Sequence, residues 1–279
     1  MPRVKDKLKS LEVRPKKRFG QNFLKSEELA EAIAEDAGLT SVDTVLEIGV
    51  GLGILSKALI KRSADYYAIE IEKGFCEELL AGSAVPAEHV ICKDVRKIEL
   101  APIVGDKKVV VASNVPYSIS TDVILWMIRE RRNIKSASLL LQQEFAERLA
   151  GKPHTKAYGS LTVLVSLYGK ATLGRIVSGG SFHPPTSVSS RMVNIKFYDQ
   201  PLHELDHQEL FEAFVRIAFS MRRKQVVNCL LRHFVLEKDE IKAALRDVGL
   251  DEMARAEDLE LVNFVDLYQR IRQGKKNTV

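Results

Sequence analysis

The stretch that decides the fold is Thr44-Val45-Leu46-Glu47-Ile48-Gly49-Val50-Gly51-Leu52-Gly53. A largely apolar run of strand length is followed by three glycines in alternate positions, and the residues after them predict a helix through Leu59. Glycine at a strand-to-helix turn lets the backbone turn sharply and approach a ligand, at the place where open α/β sheets bind cofactors. The stretch therefore predicts a nucleotide-like ligand, although NAD-dependent enzymes carry similar loops.

Two acidic residues at the ends of the next predicted strands narrow the choice of ligand. Glu70 ends the second strand, where a carboxylate can accept hydrogen bonds from both hydroxyls of a ribose. Asp94 follows the third strand, where a carboxylate can accept a hydrogen bond from an adenine amine. Because both acids lie at strand ends of one predicted sheet, their order favours an adenosine-containing cofactor.

The rest of the chain predicts an α/β domain followed by a small helical domain. Apolar strand-like runs alternate with helical spacing up to Tyr198, which indicates a mostly parallel sheet with helices on both faces. The further predicted strands are 66–71, 90–92, 109–112, 138–141 and 192–198. Beyond Pro201 the apolar spacing is helical, in the ranges 210–219, 225–235, 240–248 and 259–271. The predicted divisions are a basic tail (1–18), an α/β domain (19–200) and a helical domain (201–279).

Charge and composition limit the possible classes of protein. Residues 1–18 hold eight basic and two acidic side chains, whereas the whole chain carries a formal net charge of +5, so the remaining residues sum to −1. Attraction to phosphate must therefore come from the tail and from local patches. No apolar run is long enough for a bilayer, and the three cysteines form no Cys-x-x-Cys pair. We expect a cytoplasmic protein with reduced thiols.

The tetrapeptide Asn114-Val115-Pro116-Tyr117 follows the fourth predicted strand and suits the binding of a planar base by its exocyclic amine. The Asn114 side-chain oxygen and the Pro116 carbonyl can each accept a hydrogen bond from that amine, and proline keeps the local φ fixed. Tyr117 offers a ring on which a base can stack. With both amine protons engaged, the nitrogen lone pair turns toward a methyl donor.

This tetrapeptide resembles the signature of the rRNA adenine N6-dimethyltransferases, the KsgA/Dim family. Similar segments are spread over most of the chain. They are 17–24, 47–53, 70–72, 93–95, 143–149, 158–161, 182–185 and 219–224. The resemblance implies a Rossmann-like S-adenosylmethionine-dependent methyltransferase domain with a small all-α C-terminal domain. It also implies two methyl additions to each of two adjacent adenosines in a hairpin near the 3′ end of small-subunit rRNA.

The same resemblance implies roles for individual residues. Tyr117 and Phe182 are expected to sandwich the target adenine, with Asn114 and Pro116 completing the catalytic set. Contacts to S-adenosylmethionine are expected from Gln21, Asn22, Leu24, Gly49, Gly51, Glu70, Ile71, Asp94, Val95 and Asn114. Contacts to RNA phosphates are expected from Arg222, Arg223, Lys224, Lys16, Lys17 and Arg18. We expect no metal and no membrane, and a monomer that binds the small ribosomal subunit.

Several alternatives stay open at this point. Within the family, an Erm-type enzyme acts on large-subunit rRNA, and Asn114–Asp122 suits either group; the basic segment at 222–224 and the helical tail favour the small-subunit group. The chain can also be a mainly non-catalytic ribosome-assembly factor, and a nicotinamide-dependent dehydrogenase is a more distant alternative. The run His203-Glu204-Leu205-Asp206-His207 fits the zinc-protease pattern H-E-x-x-H, but no third ligand follows it.

Overall fold

The computed structural model describes residues 4–11, 21–82, 84–234 and 236–276. The chain forms two compact units, Met1–Ala146 with Ala171–Asp199, and Glu147–Lys170 with Gln200–Val279. The sequence places a boundary near residue 200, and the second unit resumes there. However, the second unit also takes in residues 147–170, which lie within the α/β domain of the sequence division. Within the described ranges, no helix has both the length and the apolar character needed to cross a membrane.

The described residues form nine strands in two sheets. They are β1 (Phe23–Leu24), β2 (Thr44–Ile48), β3 (Asp65–Ile69), β4 (Val90–Ile91), β5 (Val109–Asn114), β6 (Ile134–Gln142), β7 (Gly169–Val177), β8 (Phe182–His183) and β9 (Ser190–Phe197). The larger sheet has the order β4-β3-β2-β5-β6-β9-β7. Its strands from β4 to β6 are parallel, and β9 is antiparallel to β6. The predicted mostly parallel sheet is confirmed.

The described residues also form twelve α-helices. They are α1 (Val4–Ser10), α2 (Glu27–Asp36), α3 (Ile54–Ile60), α4 (Lys73–Ala81), α5 (Ala101–Val104), α6 (Ser120–Arg129), α7 (Gln143–Leu149), α8 (Ser160–Tyr168), α9 (Gln208–Ala218), α10 (Val226–Leu230), α11 (Lys238–Asp247) and α12 (Leu261–Lys276). The elements that were not predicted from the sequence are strands β1, β7 and β8 and helices α1, α4, α5, α7 and α8. The helix predicted over 225–235 is shorter, since α10 ends at Leu230.

Burial explains why the central strands form where they do. All five residues of β2 are buried, and so are Val109–Ser113 of β5. Parallel strands that are covered on both faces exclude water from every side chain, which is why their sequences are nearly continuous apolar runs. Helix α2 begins after Ser26, whose hydroxyl accepts a hydrogen bond from the Leu29 amide at 3.1 Å. This side-chain cap satisfies a backbone donor that the helix itself cannot pair.

Residues 4–11 are the described part of the predicted basic N-terminal tail, and they pack against the first unit. Leu8 of α1 is buried against Phe23, Leu52 and Phe75. The Lys7 ammonium donates a hydrogen bond to the Leu52 carbonyl at 3.1 Å and lies 3.3 Å from a Glu78 carboxylate oxygen. Helix α1 therefore belongs to the first unit and packs beside its glycine loop.

The second unit is a helical cluster held by aromatic contacts. Helix α9 buries one face, because its apolar residues recur at helical spacing. The Phe211 and Tyr268 ring centroids lie 5.4 Å apart, and those of Phe219 and Phe264 lie 5.6 Å apart. The Tyr158 hydroxyl donates to the Leu259 carbonyl at 2.8 Å. These contacts explain why residues 147–170 group with the later helices.

Candidate active site

A cavity opens at the carboxyl ends of β2, β3 and β5, the edge at which open α/β sheets bind ligands. All ten residues expected to contact the cofactor line this cavity, although five separate segments supply them. They are Gln21, Asn22, Leu24, Gly49, Gly51, Glu70, Ile71, Asp94, Val95 and Asn114. The structure therefore brings the expected cofactor residues together at one place in the first unit.

The glycine loop approaches its neighbours closely at Gly49 and Gly51. Gly49, Gly51 and Gly53 have φ values of 75°, 56° and 71°, in the left-handed region. A Cβ atom on Gly51 would lie 2.9 Å from Cε1 of Phe23, and one on Gly49 would lie 3.2 Å from Cδ of Pro116. The absence of side chains thus lets β1 and the Asn114–Tyr117 segment pack directly against the loop.

Glu70 at the end of β3 is a rigid hydrogen-bond acceptor in the cavity wall. The residue is only 4% exposed. One oxygen accepts the Gly51 amide at 3.0 Å, and the other accepts the amides of Ile71 and Glu72, both at 2.8 Å. Burial raises the pKa of Glu70, while these three backbone donors oppose that rise. The hydrogen bonds fix the carboxylate direction and tie the glycine loop to β3.

Asp94 carries a partner that the sequence reasoning missed. Its carboxylate forms a bidentate pair with the Arg96 guanidinium, with distances of 3.0 Å (Nε to Oδ1) and 2.6 Å (Nη2 to Oδ2). Arg96 also lines the cavity and lies 3.5 Å from the Asp122 carboxylate. The hydrogen bonds from Arg96 lower the pKa of Asp94. The carboxylate is therefore ionised at neutral pH and acts as an acceptor only.

Glu47, the acidic residue in the strand before the glycine loop, lies in the cavity wall and has an unusually high pKa. It is 1% exposed, and the Tyr66 hydroxyl donates to its carboxyl at 2.6 Å. Burial raises the pKa of Glu47 to about 8, and the nearby Glu70 charge acts in the same direction. Glu47 is therefore mainly protonated at pH 7. The sequence does contain an indication of this buried acid, because Glu47 is the one acidic residue of a largely apolar strand. No role of its own was predicted for it from the sequence.

Asn114 ends β5, and its side-chain amide contacts Asn22, in a segment expected to bind the cofactor. Its Nδ2 donates a hydrogen bond to the Asn22 carbonyl at 2.9 Å. Because the amide nitrogen is used in this way, Oδ1 is the atom with which the side chain can accept a hydrogen bond from a ligand. This is the orientation that the binding of an exocyclic amine requires.

The Pro116 carbonyl was expected to accept a hydrogen bond from the target amine, and it already serves another purpose. It accepts the Ile119 amide at 3.1 Å and lies 3.5 Å from the Ser120 hydroxyl, so it starts the turn that leads into α6. The turn therefore already engages this carbonyl, but Pro116 also lines the cavity and its carbonyl oxygen has a second lone pair for a further hydrogen bond. Within the described ranges, the neighbouring Val115 carbonyl forms no such bond, and Val115 lines the cavity.

The two aromatic residues expected to sandwich the target base are placed differently. Tyr117 lines the cavity, and its hydroxyl lies 2.6 Å from the Ser190 hydroxyl. Phe182 is 0% exposed and belongs to the core of the first unit, where β8 pairs with β1 at Leu24. The structure therefore does not bring Phe182 to the cavity, because its ring fills the core behind β1.

The basic residues expected to hold RNA phosphates are only partly described. Arg222, Arg223 and Lys224 are exposed in the loop between α9 and α10 of the second unit. The Arg222 guanidinium donates to the Lys156 carbonyl at 2.6 Å, which fixes its position on the surface. The other three expected phosphate contacts lie outside the described residues. They are Lys16, Lys17 and Arg18.

The H-E-x-x-H match does not have the geometry of a zinc site. Residues 203–207 form an irregular segment, and α9 begins only at Gln208. His203 and His207 are therefore not one turn apart on a helix, which is the arrangement by which this motif binds zinc. Within the described ranges, no three metal-ligating side chains of the His, Cys, Asp or Glu type cluster together.

The chain matches one protein family over most of its length. Residues 13–273 match the family model described as Ribosomal RNA adenine dimethylase. The chain is 34% identical over 266 residues to Ribosomal RNA small subunit methyltransferase A of Clostridium botulinum (strain Kyoto / Type A2), with 94% of this chain and 95% of that protein covered.

The fold of the chain is also similar to those of solved methyltransferase structures. A dimethyladenosine transferase from Plasmodium falciparum is 27% identical with a TM-score of 0.72, covering 90% of this chain and 98% of that one. The 23S rRNA methyltransferase ErmE shares the fold at 24% identity and a TM-score of 0.65, covering 90% of this chain and 100% of that one. The predicted fold, a Rossmann-like methyltransferase domain with a helical C-terminal part, is confirmed.

Proposed function

Because the chain belongs to the ribosomal RNA adenine dimethylase family, we propose that it methylates small-subunit rRNA during ribosome biogenesis. The methyl groups pass from S-adenosylmethionine to N6 of two adjacent adenosines in a hairpin near the 3′ end of that RNA. The observation that carries the proposal is that one cavity is lined by Glu70, Asp94 and the segment Asn114–Tyr117. The two carboxylates that can accept hydrogen bonds from an adenosine thus lie in the same cavity as the segment that can bind an amine.

The residues present fit S-adenosylmethionine. The fixed Glu70 carboxylate suits the two hydroxyls of a ribose, and the ionised Asp94 carboxylate suits an adenine amine. Gly49 and Gly51 line the cavity without side chains, so a ligand can approach the main chain of the glycine loop closely. When bound, the cofactor supplies a methyl group activated by an adjacent sulfonium.

The target amine is held by the end of β5. Asn114 Oδ1 accepts one amine proton, since its Nδ2 is bound to the Asn22 carbonyl. The second acceptor is a main-chain carbonyl of the same segment, that of Pro116 or of Val115, and both residues line the cavity. With both protons engaged, the amine lone pair turns out of the ring plane toward the methyl donor. Tyr117 provides the surface on which the base stacks.

Methyl transfer in this site also requires that the target base leaves its stack and that the amine is aligned, and it does not require a strong general base. The target base must leave its stack, which costs a few kcal/mol unless it lies in a loop. Catalysis then depends on alignment, because Asn114 and its neighbours would hold the amine nitrogen toward the methyl group that the cofactor would supply. The extra proton of the methylated amine is acidic and leaves to water. Arg222, Arg223 and Lys224 hold RNA phosphates in this account.

A second candidate function lies within the same family. ErmE, described as a 23S rRNA methyltransferase, shares the fold, and the end of β5 suits either RNA. The exposed bases at 222–224 and the helical second unit support small-subunit RNA. From a different class, a mainly non-catalytic assembly factor would bind ribosomal particles without needing the acceptor geometry of Asn114.

The test supplies labelled S-adenosylmethionine to purified small subunits that lack the adenosine methylations, with large subunits in parallel. We expect label in small-subunit RNA only. Label in large-subunit RNA alone would support the Erm-type function. Binding to small subunits with no label in either RNA would support the assembly factor, provided that calorimetry shows the protein binding S-adenosylmethionine.

A further inference from the structure

We propose that Ser190 is a positioning residue for methyl transfer, because its hydroxyl holds the Tyr117 ring in the orientation that stacks on the target adenine. The inference rests on the proposed function, since that function gives Tyr117 its role. Ser190 is not among the residues that line the cavity. It therefore acts through Tyr117 rather than by touching a ligand.

The contact between the two residues is short and shielded from water on one side. The Tyr117 hydroxyl oxygen lies 2.6 Å from Ser190 Oγ. Ser190 is 0% exposed, whereas the Tyr117 ring is half-buried at the cavity wall. Hydroxyl pairs at this distance form a normal O–H···O hydrogen bond. A buried hydrogen bond of this kind costs more to leave unmade than an exposed one, since water cannot replace the missing partner.

The bond joins two well-anchored parts of the sheet. Tyr117 follows the end of β5, in the turn where the Pro116 carbonyl accepts the Ile119 amide. Ser190 begins β9, opposite Gln142 of β6. The hydrogen bond thus spans from the end of β5, past β6, to the start of β9. The Tyr117 side chain is held at its backbone and at its hydroxyl, so few ring orientations remain.

A ring fixed at both ends is already oriented before RNA arrives. A tyrosine held only by its backbone can turn about two side-chain torsions, and ordering it on binding carries an entropic cost. Burial raises the pKa of Tyr117, so the phenol stays neutral over the working pH range. The substrate base therefore meets a surface that needs no rearrangement.

The test is a double-mutant cycle with Ser190→Ala, Tyr117→Phe and the double variant. Ser190→Ala should lower kcat at saturating S-adenosylmethionine about five- to tenfold, as expected for one lost hydrogen bond. Its cofactor Kd, measured by calorimetry, should stay unchanged. In the Tyr117→Phe background, Ser190→Ala should have no further effect on kcat, because the hydroxyl partner is already gone. A purely structural role for Ser190 would lower kcat equally in both backgrounds.

A matched control is Ser138→Ala. Ser138 is also a buried serine of the same sheet, but its hydroxyl has no hydrogen-bond partner within the described ranges. This variant should keep the wild-type kcat, and thermal unfolding should show that every variant is folded. Wild-type kcat for Ser190→Ala, or independent effects in the cycle, would overturn the inference alone. A wild-type protein that methylates neither subunit would overturn the proposed function, and this inference with it.

Discussion

The Asn114 amide nitrogen donates a 2.9 Å hydrogen bond to the Asn22 carbonyl, which joins the residues before β1 to the end of β5. These two positions are far apart in the chain, yet this bond determines which atom of the Asn114 amide faces a ligand. Segments expected to bind cofactor and target base therefore share one hydrogen bond. Preorganised acceptors of this kind need no reorientation when the reaction begins.

Asn114→Ala is expected to lower kcat for rRNA methylation by about 100-fold or more, the scale seen when one preorganised hydrogen-bonding group is removed. S-adenosylmethionine binding should be only partly weakened, because the Glu70 and Asp94 carboxylates remain. Methyl incorporation and calorimetry measure the two effects. Asn133→Ala is the matched control, since Asn133 Nδ2 also donates to a backbone carbonyl, that of Gly105, at 2.9 Å. Near-normal methylation by Asn114→Ala would contradict the role.

Gly51→Ala is expected to weaken S-adenosylmethionine binding by about tenfold or more, equivalent to 1.4 kcal/mol. The new Cβ would lie 2.9 Å from the Phe23 ring, in the cavity wall. The matched control is Gly38→Ala, because Gly38 also has a positive φ, of 62°, but nothing lies within 4 Å of its added Cβ. Both variants should lose roughly 1–2 kcal/mol of stability from backbone strain. Equal cofactor affinities for the two variants would argue against a close approach at Gly51.

The buried Glu47 should make stability depend on pH. The pKa of this acid is about 8 when folded, against an ordinary value of 4.5. The unfolded chain thus loses this proton at lower pH than the folded chain, and the contribution to stability, complete below pH 4.5, is lost as pH rises toward 8. Glu47→Gln removes the effect. The free energy of unfolding of the wild type should fall relative to the variant from pH 5 to 8, by at most about 1.4 kcal/mol per pH unit, and then level off.

That comparison uses urea unfolding of both proteins at each pH. A difference in unfolding free energy that stays constant from pH 5 to 9 would mean that Glu47 titrates normally. A wild type that gains stability relative to the variant as pH rises would reverse the sign and show that the folded protein favours the ionised carboxylate.

Replacing Arg222, Arg223 and Lys224 with alanine should weaken binding to rRNA at low salt and flatten its salt dependence. Each lost phosphate contact is expected to reduce the slope of log K against log salt by about 0.7–0.9. The control replaces Lys107 and Lys108, which precede β5 at the sheet edge opposite the cavity and pair with acidic residues. Binding measured over a salt series should change for the first variant only. An unchanged slope of log K against log salt would mean that the 222–224 loop does not contact RNA phosphates.

The central sheet and the cofactor edge were predictable from the sequence for a physical reason. Strands β2 and β5 are buried on both faces, so their sequences are mostly apolar and easy to recognise. Functional residues at strand ends then fall on one edge of a parallel sheet by geometry alone. This is why Glu70, Asp94 and Asn114 could be expected to lie together.

Other features depend on contacts that the sequence pattern does not contain. Strand β7 alternates irregularly between exposed and buried residues, which gives no clear period of two. Leu8 lies in a charged stretch, and only the packing with Phe75 and its neighbours reveals α1 as part of the unit. The burial of Phe182 depends on the pairing of β8 with β1. The Ser190 contact with Tyr117 likewise joins residues from different strands.

The most direct measurement of the central claim is the product formed on small ribosomal subunits that lack the adenosine methylations. After reaction with S-adenosylmethionine, the RNA is digested to nucleosides and quantified by mass spectrometry, with large subunits as the control. The account predicts two N6,N6-dimethyladenosines per small subunit and none from the large subunit. Dimethyladenosine from large subunits alone, or no methylated adenosine from either, would contradict it.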